Sequence, residues 1–558
     1  MPSIAPRKPI PITLLSGFLG SGKTTLLEHI LTSRSHGLRI AVVINDMSSL
    51  NIDASLIQNH KVTQKEEKLV QLQNGCICCT LRDDLLEELV ELASDGKCDY
   101  IVIESTGISE PMQVAETFTQ EFSSALLEQS EEEREAQGIT EKDIAVIKQI
   151  IDVGGLNELA TLDTCVTVVD AVNFLDSFET TQFLADRWGS SGQASEEDRT
   201  ITDLMVDQIE FANVVILNKI ANVKRENVKK IEEIIHSLNR DAKVIKTNYC
   251  KIDLEEILNT GMFNFETASE SAGWLHSLTE MAIREGEFGD NKSSRVAPTP
   301  ETVEYGINNF VYRARRPFHP RRLYDLIKNK FFVIEQVQVP PEEPEDSDLD
   351  LSDDEKASSD VEMADNEPHS VEEEEEEDEL TEAQIIHNKK SSPFGPLLRS
   401  KGTIWLASRY ILRGEWSSAG AMLTMRGGIP WFAIAGPDMW PDDPAIVANI
   451  KADFEGPHKD RRQEIVFIGS SINKSAITKL LDECLLTDEE MQVYDSVVES
   501  SKEVVKIELA LQQEFEDGFE DWLDLSAIDA DKDNETEVVI EGLFEETHKH
   551  AGHHHVKA

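Results

Sequence analysis

The stretch from Gly17 to Thr25, reading GFLGSGKTT, limits the fold of this chain more than any other feature. It fits the pattern GxxxxGK[ST] in the context that pattern requires, after the apolar run ITLLS and at the start of a helical segment. Glycines there let the backbone curl, so that successive N–H groups and the helix start face an anion. The Lys23 ammonium suits β and γ phosphate oxygens, and the Thr24 hydroxyl suits Mg²⁺. Gly17, Phe18, Leu19, Gly20, Ser21, Gly22, Lys23, Thr24 and Thr25 are therefore candidate nucleotide-binding residues. An ordinary Gly-rich turn does not explain why motif, strand and helix agree.

From residue 10 onward, short β-branched runs alternate with amphipathic helical stretches: ITLLSGF, a helix from Lys23, RIAVVIND, a helix from Leu81, DYIVIES, CVTVVDA, NVVILNK and AKVIKTN. This alternation predicts an α/β fold, a P-loop domain on a mainly parallel sheet. For the helix after CICCT, Thr80 is the expected N-cap and Gly96 the stop. A charged stretch at 121–160 interrupts the strand rhythm and is expected to be a surface excursion. The first domain is set at 10–265. A linker-like passage rich in Gly, Ser and Pro precedes a smaller α+β domain at 300–490, whose strands are expected around GINNFVYRA, GTIWLASR, WFAIAG and RRQEIVFIGS. The acidic stretch at 340–392 has too few apolar side chains to offset its ordering entropy and reads as a disordered insertion, a solvated loop rather than a dedicated binding arm. A helical and His-rich tail covers 495–558.

At 558 residues, two hydrophobic cores are the natural expectation. The formal net charge of -53 argues against a phosphate-backbone footprint, so no nucleic-acid partner is expected. No apolar run has the length of a membrane span, and the opening MPSIAPRKPIPITLL has no signal-peptide pattern. The reading is of a soluble, cytoplasmic chain with no membrane partner.

A P-loop enzyme needs a carboxylate at a neighbouring strand end for Mg²⁺ and a backbone N–H near the γ-phosphate. Glu104 and Gly107 in DYIVIESTG suit these roles, the alternative being that Glu104 merely ends a strand. Asp46, ending RIAVVIND, is a second candidate for Mg²⁺ or the attacking water, though acidic residues also sit at strand ends for turn reasons. Asn218 and Lys219 in NVVILNKIA sit where an NKxD motif would recognise guanine, with Lys along the ring and Asp on N1–H and the 2-amino group. Position 221 is Ala, and each charge-assisted hydrogen bond lost is worth about 1.5–3 kcal/mol.

Of seven cysteines, Cys76, Cys78 and Cys79 crowd into CxCC. Thiolates this close cannot all form ordinary disulfides, and they are soft donors suited to Zn²⁺ or Cu⁺. The alternative is a buried or redox-active cluster. Zinc usually takes four ligands, so a fourth from Asp46, a histidine, water or a recipient protein is implied, and an open position favours transfer over permanent binding. The other four cysteines read as structural. His548, His550, His553, His554 and His555 either capture metal weakly or belong to a flexible tail, and His319 is expected to cap a turn.

Together, GFLGSGKTT, NDMSSLNID, NGCICCTLRDDL, ESTGISEP and TVVDAVNF resemble the CobW family of P-loop GTPases and metallochaperones. SKGTIWLASR, DRRQEIVFIG and LLTDEEM resemble that family's C-terminal domain, so the likeness spans most of residues 10–495. The resemblance implies a GTPase with Mg²⁺-dependent hydrolysis, metal held by the CxCC and transfer of zinc or a similar thiophilic metal to a client metalloprotein. Two departures stand out: Ala221 in place of the NKxD aspartate, and SSLNID, which lacks one acidic residue of the family's NEFGE-like segment. Two other readings remain open, an NTPase subunit that inserts metal into a tetrapyrrole, and a metal-buffering scaffold; an intact Lys23 and Thr24 speak against the scaffold.

Overall fold

The computed structural model describes residues 8–45, 69–72, 82–96, 98–105, 107, 111–118, 141–152, 154–180, 182–183, 200–264, 307–336, 380–435, 440, 444–523 and 525. Seven strands form the first sheet: β1 (Ile10–Ser16), β2 (Ile40–Asn45), β3 (Leu69–Leu72), β4 (Tyr100–Glu104), β5 (Ala160–Asp170), β6 (Val214–Asn218) and β7 (Lys243–Lys246). Their spatial order is β3-β2-β4-β1-β5-β6-β7, and every pairing is parallel. All five residues of β4 and of β6 are buried. Such two-sided burial explains why these strands read as unbroken apolar runs instead of alternating ones. The order reverses direction at β1, so the crevice beyond the carboxyl ends of β1, β4 and β5 is the natural ligand position of such a sheet.

Six of the seven strands match the β-branched runs of the sequence. The seventh, β3, is a four-residue edge strand paired with β2, too short to leave a periodic signal. The helix Arg82–Asp95 ends before Gly96, whose φ of 61° is a left-handed value suited to glycine; Thr80 lies outside the described residues.

The 121–160 stretch is not wholly a surface excursion. Its helix Glu141–Asp152 puts Ile147 and Ile150 into the same core as Leu85, Leu89 and Ile103, and Leu156 follows them. Lys148 on that helix is exposed and charges are scattered through the whole stretch, which is why composition alone pointed outward.

The second sheet has six strands: β8 (Ile307–Ala314), β9 (Phe332–Gln336), β10 (Leu397–Ile404), β11 (Leu412–Ala419), β12 (Met422–Pro430) and β13 (Gln463–Ser470). It runs β8-β13-β10-β11-β12-β9, antiparallel except for the β12–β9 pair. Its core gathers Phe310, Phe318, Phe394, Trp416, Phe467 and Trp522 among others.

Two expectations about this half change. Residues 382–391, placed in the disordered insertion, form a helix whose N-terminus is closed by a capping box between Thr381 and Gln384, and Ile385 on it is buried. Nor does the domain stop at residue 490. The helices Asp488–Ser500 and Val504–Glu514 pack Tyr494, Ile507 and Leu511 against Trp405, and Trp522 lies in the main core. The histidines beyond residue 525 lie outside the described residues. Among the described residues, no helix is long and apolar enough to cross a membrane.

The domains meet at a seam made by β10, β11 and the helix Ile201–Glu210. Ala419 and Leu398 join Phe174, Phe178 and Val206 in one apolar cluster. Arg399, 1% exposed, reaches across to Asp203 (3.4 Å), Glu210 (3.3 Å) and Asp207 (3.7 Å). Burial opposes its charge, but Glu210, Asp207 and Asp203 together raise its pKa.

Candidate functional site: the phosphate loop and the base clamp

Between β1 and the helix Lys23–Thr32 the chain turns through Gly17 and Gly22, with φ of 132° and 117°. A Cβ on Gly17 would run into the Val168 carbonyl, and one on Gly22 would meet Asn218 Nδ2 at 2.5 Å. Only glycine accommodates both the turn and these neighbours. The loop is braced from within: Ser21 N–H donates to the Phe18 carbonyl (3.1 Å), and buried Lys23 donates from Nζ to the Gly17 carbonyl (2.7 Å). Phe18 packs on Ile201 and Leu204 of the seam helix, whereas Leu19 and Gly20 are exposed. Thr24 is half-buried at the helix start and Thr25 is exposed.

The residues present fit a nucleotide's phosphates. Ser21 Oγ is buried with no protein partner among the described residues, and the space where a Gly20 Cβ would stand is open. Glu104 is the buried last residue of β4, in register with Leu15 of β1, two positions before the loop begins. Thr24 and Glu104 are oxygen donors of the kind Mg²⁺ takes. Gly107 is buried under Leu19: a Cβ there would meet that side chain at 2.6 Å.

At the end of β6, Asn218 donates from Nδ2 to the Ser21 carbonyl (3.0 Å) and accepts the Cys250 N–H (3.1 Å). Lys219, with φ of 61°, donates from Nζ to the Gly20 carbonyl (2.7 Å) and pairs with Asp170 (2.9 Å). These two residues thus tie the phosphate loop to the 247–250 segment.

Sequence reasoning missed three contributors. Asp170 ends β5 opposite Asn218 in the β5–β6 register, a juxtaposition recoverable once the two strands are known to be neighbours. Asn248 accepts the Ala221 N–H (2.7 Å), and nothing in TNYC announces that role. Gln208 donates to the Gly107 carbonyl (3.3 Å) while its own carbonyl accepts the Thr167 hydroxyl (2.6 Å), connecting the seam helix to the ESTG segment.

Asp46, Cys76, Cys78 and Cys79 lie outside the described residues. Among the described residues no cluster of His, Cys, Asp and Glu could hold a metal ion. Cys165, Cys250 and Cys484 are free thiols. Burial pushes the thiol of Cys250 up to about 12 and that of Cys484 to about 11, unsuited to a thiolate ligand. His319 occupies the N-cap position of the helix Pro320–Ile327, but its side chain makes no cap bond. It instead packs edge-on against Phe515 at 5.9 Å, and burial lowers its pKa, so the expected capping role is corrected to one of packing.

Two family profiles cover most of the chain: the CobW/HypB/UreG nucleotide-binding domain matches residues 11–134 and 135–246, and the cobalamin synthesis protein cobW C-terminal domain matches 370–485. The chain belongs to the CobW/HypB/UreG family of P-loop GTPases. Within that family it is 37% identical over 492 residues to the zinc-regulated GTPase metalloprotein activator 1 of Dictyostelium discoideum, covering 86% of this chain and 81% of that protein. It is 28% identical to the zinc chaperone CobW of Pseudomonas aeruginosa over 45% of this chain and 59% of that one. The crystal structure of Zn(II)-bound YjiA GTPase from E. coli aligns over 86% of this CobW-family chain and 100% of its own at 16% identity, with a TM-score of 0.29.

Proposed function

We propose that this CobW-family GTPase is a metallochaperone: it binds zinc as cargo through Cys76, Cys78 and Cys79, and couples GTP hydrolysis to handing that zinc to a client metalloprotein. One observation carries the reading. The strand order β3-β2-β4-β1 with parallel pairing puts four chain exits on one edge of one sheet. β1 leads into the phosphate loop and β4 ends at Glu104. β2 ends at Asn45, directly before Asp46, and β3 ends at Leu72, four residues before Cys76. Neighbouring strands are about 4.8 Å apart, so β3 and β1 are separated by only about 15 Å. The relatives named as a zinc-regulated activator and a zinc chaperone support the choice of zinc.

In this reading Lys23 and the loop N–H groups neutralise and orient the β and γ phosphates. Thr24 and Glu104 would hold Mg²⁺, which when bound supplies Lewis-acid stabilisation of the phosphate oxygens. The Gly107 N–H responds to the γ-phosphate, and Asp46 positions the attacking water. Because β4 runs into the ESTG sequence and β3 ends four residues before the CxCC, a change in one is transmitted to the other, and the linkage is reciprocal: zinc alters nucleotide affinity as nucleotide alters zinc affinity.

The test is zinc titration of the reduced full chain against a competing chelator, with and without a non-hydrolysable GTP analogue, alongside the Cys76, Cys78 and Cys79 triple serine variant. A tight site that the variant loses and the analogue shifts is expected. Equal zinc affinity under all conditions would sink the reading and leave a GTPase whose cysteines do something else.

A further inference from the structure

The base clamp is complete except at the position that normally senses guanine. Asn218 and Lys219 hold the Ser21 and Gly20 carbonyls, and Asn218 also holds the Cys250 N–H. The next turn, Ile220–Asn222, carries an exposed methyl at Ala221. A purine seated along the Lys219 stem therefore finds no carboxylate at residues 220–223 for its N1–H and 2-amino donors.

The groups nearby do not make good the loss. Asp170, the carboxylate within the clamp, already accepts from the Val172 N–H (2.9 Å), Asn173 Nδ2 (2.8 Å) and Lys219 Nζ (2.9 Å). Asn248 Oδ1 already accepts the Ala221 N–H, and its Nδ2 has no protein partner among the described residues. The group left wholly without a protein partner there, Asn248 Nδ2, is a donor. A donor complements the 6-oxo group shared by guanine and hypoxanthine and mismatches the 6-amino group of adenine. It offers nothing to a 2-amino group.

From this we infer that the nucleotide site selects 6-oxopurine triphosphates without reading the 2-amino group, so that inosine triphosphate is bound as well as GTP, with Ala221 as the residue that sets this breadth. The inference rests on the GTPase assignment alone. Zinc coupling can fail while GTP and inosine triphosphate remain matched, and the reverse, so the two readings are separable.

The experiment is competition against a fluorescent GTP analogue on the full chain with Mg²⁺, using GTP, inosine triphosphate and ATP, for the wild type and Ala221→Asp. In the wild type, GTP and inosine triphosphate should compete within about threefold of each other, with ATP about tenfold or more weaker. Since a charge-assisted hydrogen bond is worth about 1.5–3 kcal/mol, Ala221→Asp should favour GTP over inosine triphosphate by about 10- to 100-fold. A wild-type preference for GTP over inosine triphosphate of tenfold or more would overturn the inference by revealing another acceptor. ATP competing as well as GTP would equally overturn it, because the site would then not read the 6-oxo group. The substitution is at an exposed position, and the wild-type comparison decides the matter without it.

Discussion

Lys219 at the base clamp and Arg399 at the domain seam are both cations held by carboxylates, and they are held very differently. Arg399 has a side chain 2% exposed and faces three acids; Lys219 is 34% exposed and faces one. The arginine is ringed by acids, so its charge is spent on joining two domains. The lysine bonds one P-loop carbonyl and one carboxylate and stays partly open to solvent. A charge kept for a ligand is left partly uncommitted, whereas a charge kept for architecture is enclosed among opposite charges.

Arg399→Met attacks the enclosed charge and should have the largest effect. It leaves Asp203, Asp207 and Glu210 facing an apolar side chain, at a cost of about 3–5 kcal/mol, read as a drop in the urea midpoint. Adding Asp203→Asn and Glu210→Gln should recover part of that loss; no recovery would mean that packing, not charge, holds the seam. Lys23→Ala probes the functional edge in the opposite sense. GTP hydrolysis should fall by about 10²- to 10³-fold in a turnover assay while thermal stability stays near wild type. A large loss of stability instead would show that the P-loop's internal bond to the Gly17 carbonyl is structural.

A third variant tests burial without ion pairing. Glu508, enclosed in the second domain, accepts the Ile411 N–H (2.7 Å) and the Tyr410 N–H (3.1 Å). Burial raises its pKa from 4.5 to about 7. The folded state therefore holds a proton that the unfolded chain releases. The resulting stability is present in full below pH 4.5 and is lost as pH rises through about 7, amounting to at most about 3 kcal/mol. Glu508→Gln should flatten that slope in urea titrations between these limits; an unchanged slope would place the titrating group elsewhere. The smallest stability effect is expected for Lys219→Met, about 0.5–1 kcal/mol, as for other partly exposed pairs. Its nucleotide affinity should nonetheless fall about tenfold. If stability and affinity moved together, the distinction between the two cations would collapse.

The sequence made the nucleotide edge legible because that chemistry is local. GFLGSGKTT, the carboxylate ending β4 and the Asn-Lys pair ending β6 each occupy a few consecutive residues, and two-sided burial writes the parallel strands as apolar runs. The seam was not legible. Arg399 lies 196 residues from Asp203, and an arginine in LLRSKGTI looks like any solvated charge until β10 is seen against the seam helix. The helix at 141–152 was hidden for a related reason, since the charges scattered through 121–160 interrupt the strand rhythm. At 381–384 the signal existed: Thr-Glu-Ala-Gln is a capping-box pattern, outweighed by the acidic run before it. For Asn248 there was no signal, because its partner is a backbone N–H across the clamp.

Asp203, Asp207 and Glu210 recur at intervals of four and three along one helix, so they line a single stripe. Without a neighbour that stripe is a column of like charges that repel one another. The guanidinium of β10 acts as its built-in counter-ion, delivered by a domain that is synthesised later. A first domain produced alone would have to borrow that counter-ion from solution, and so would lean on salt for a stability that the two-domain chain carries within itself.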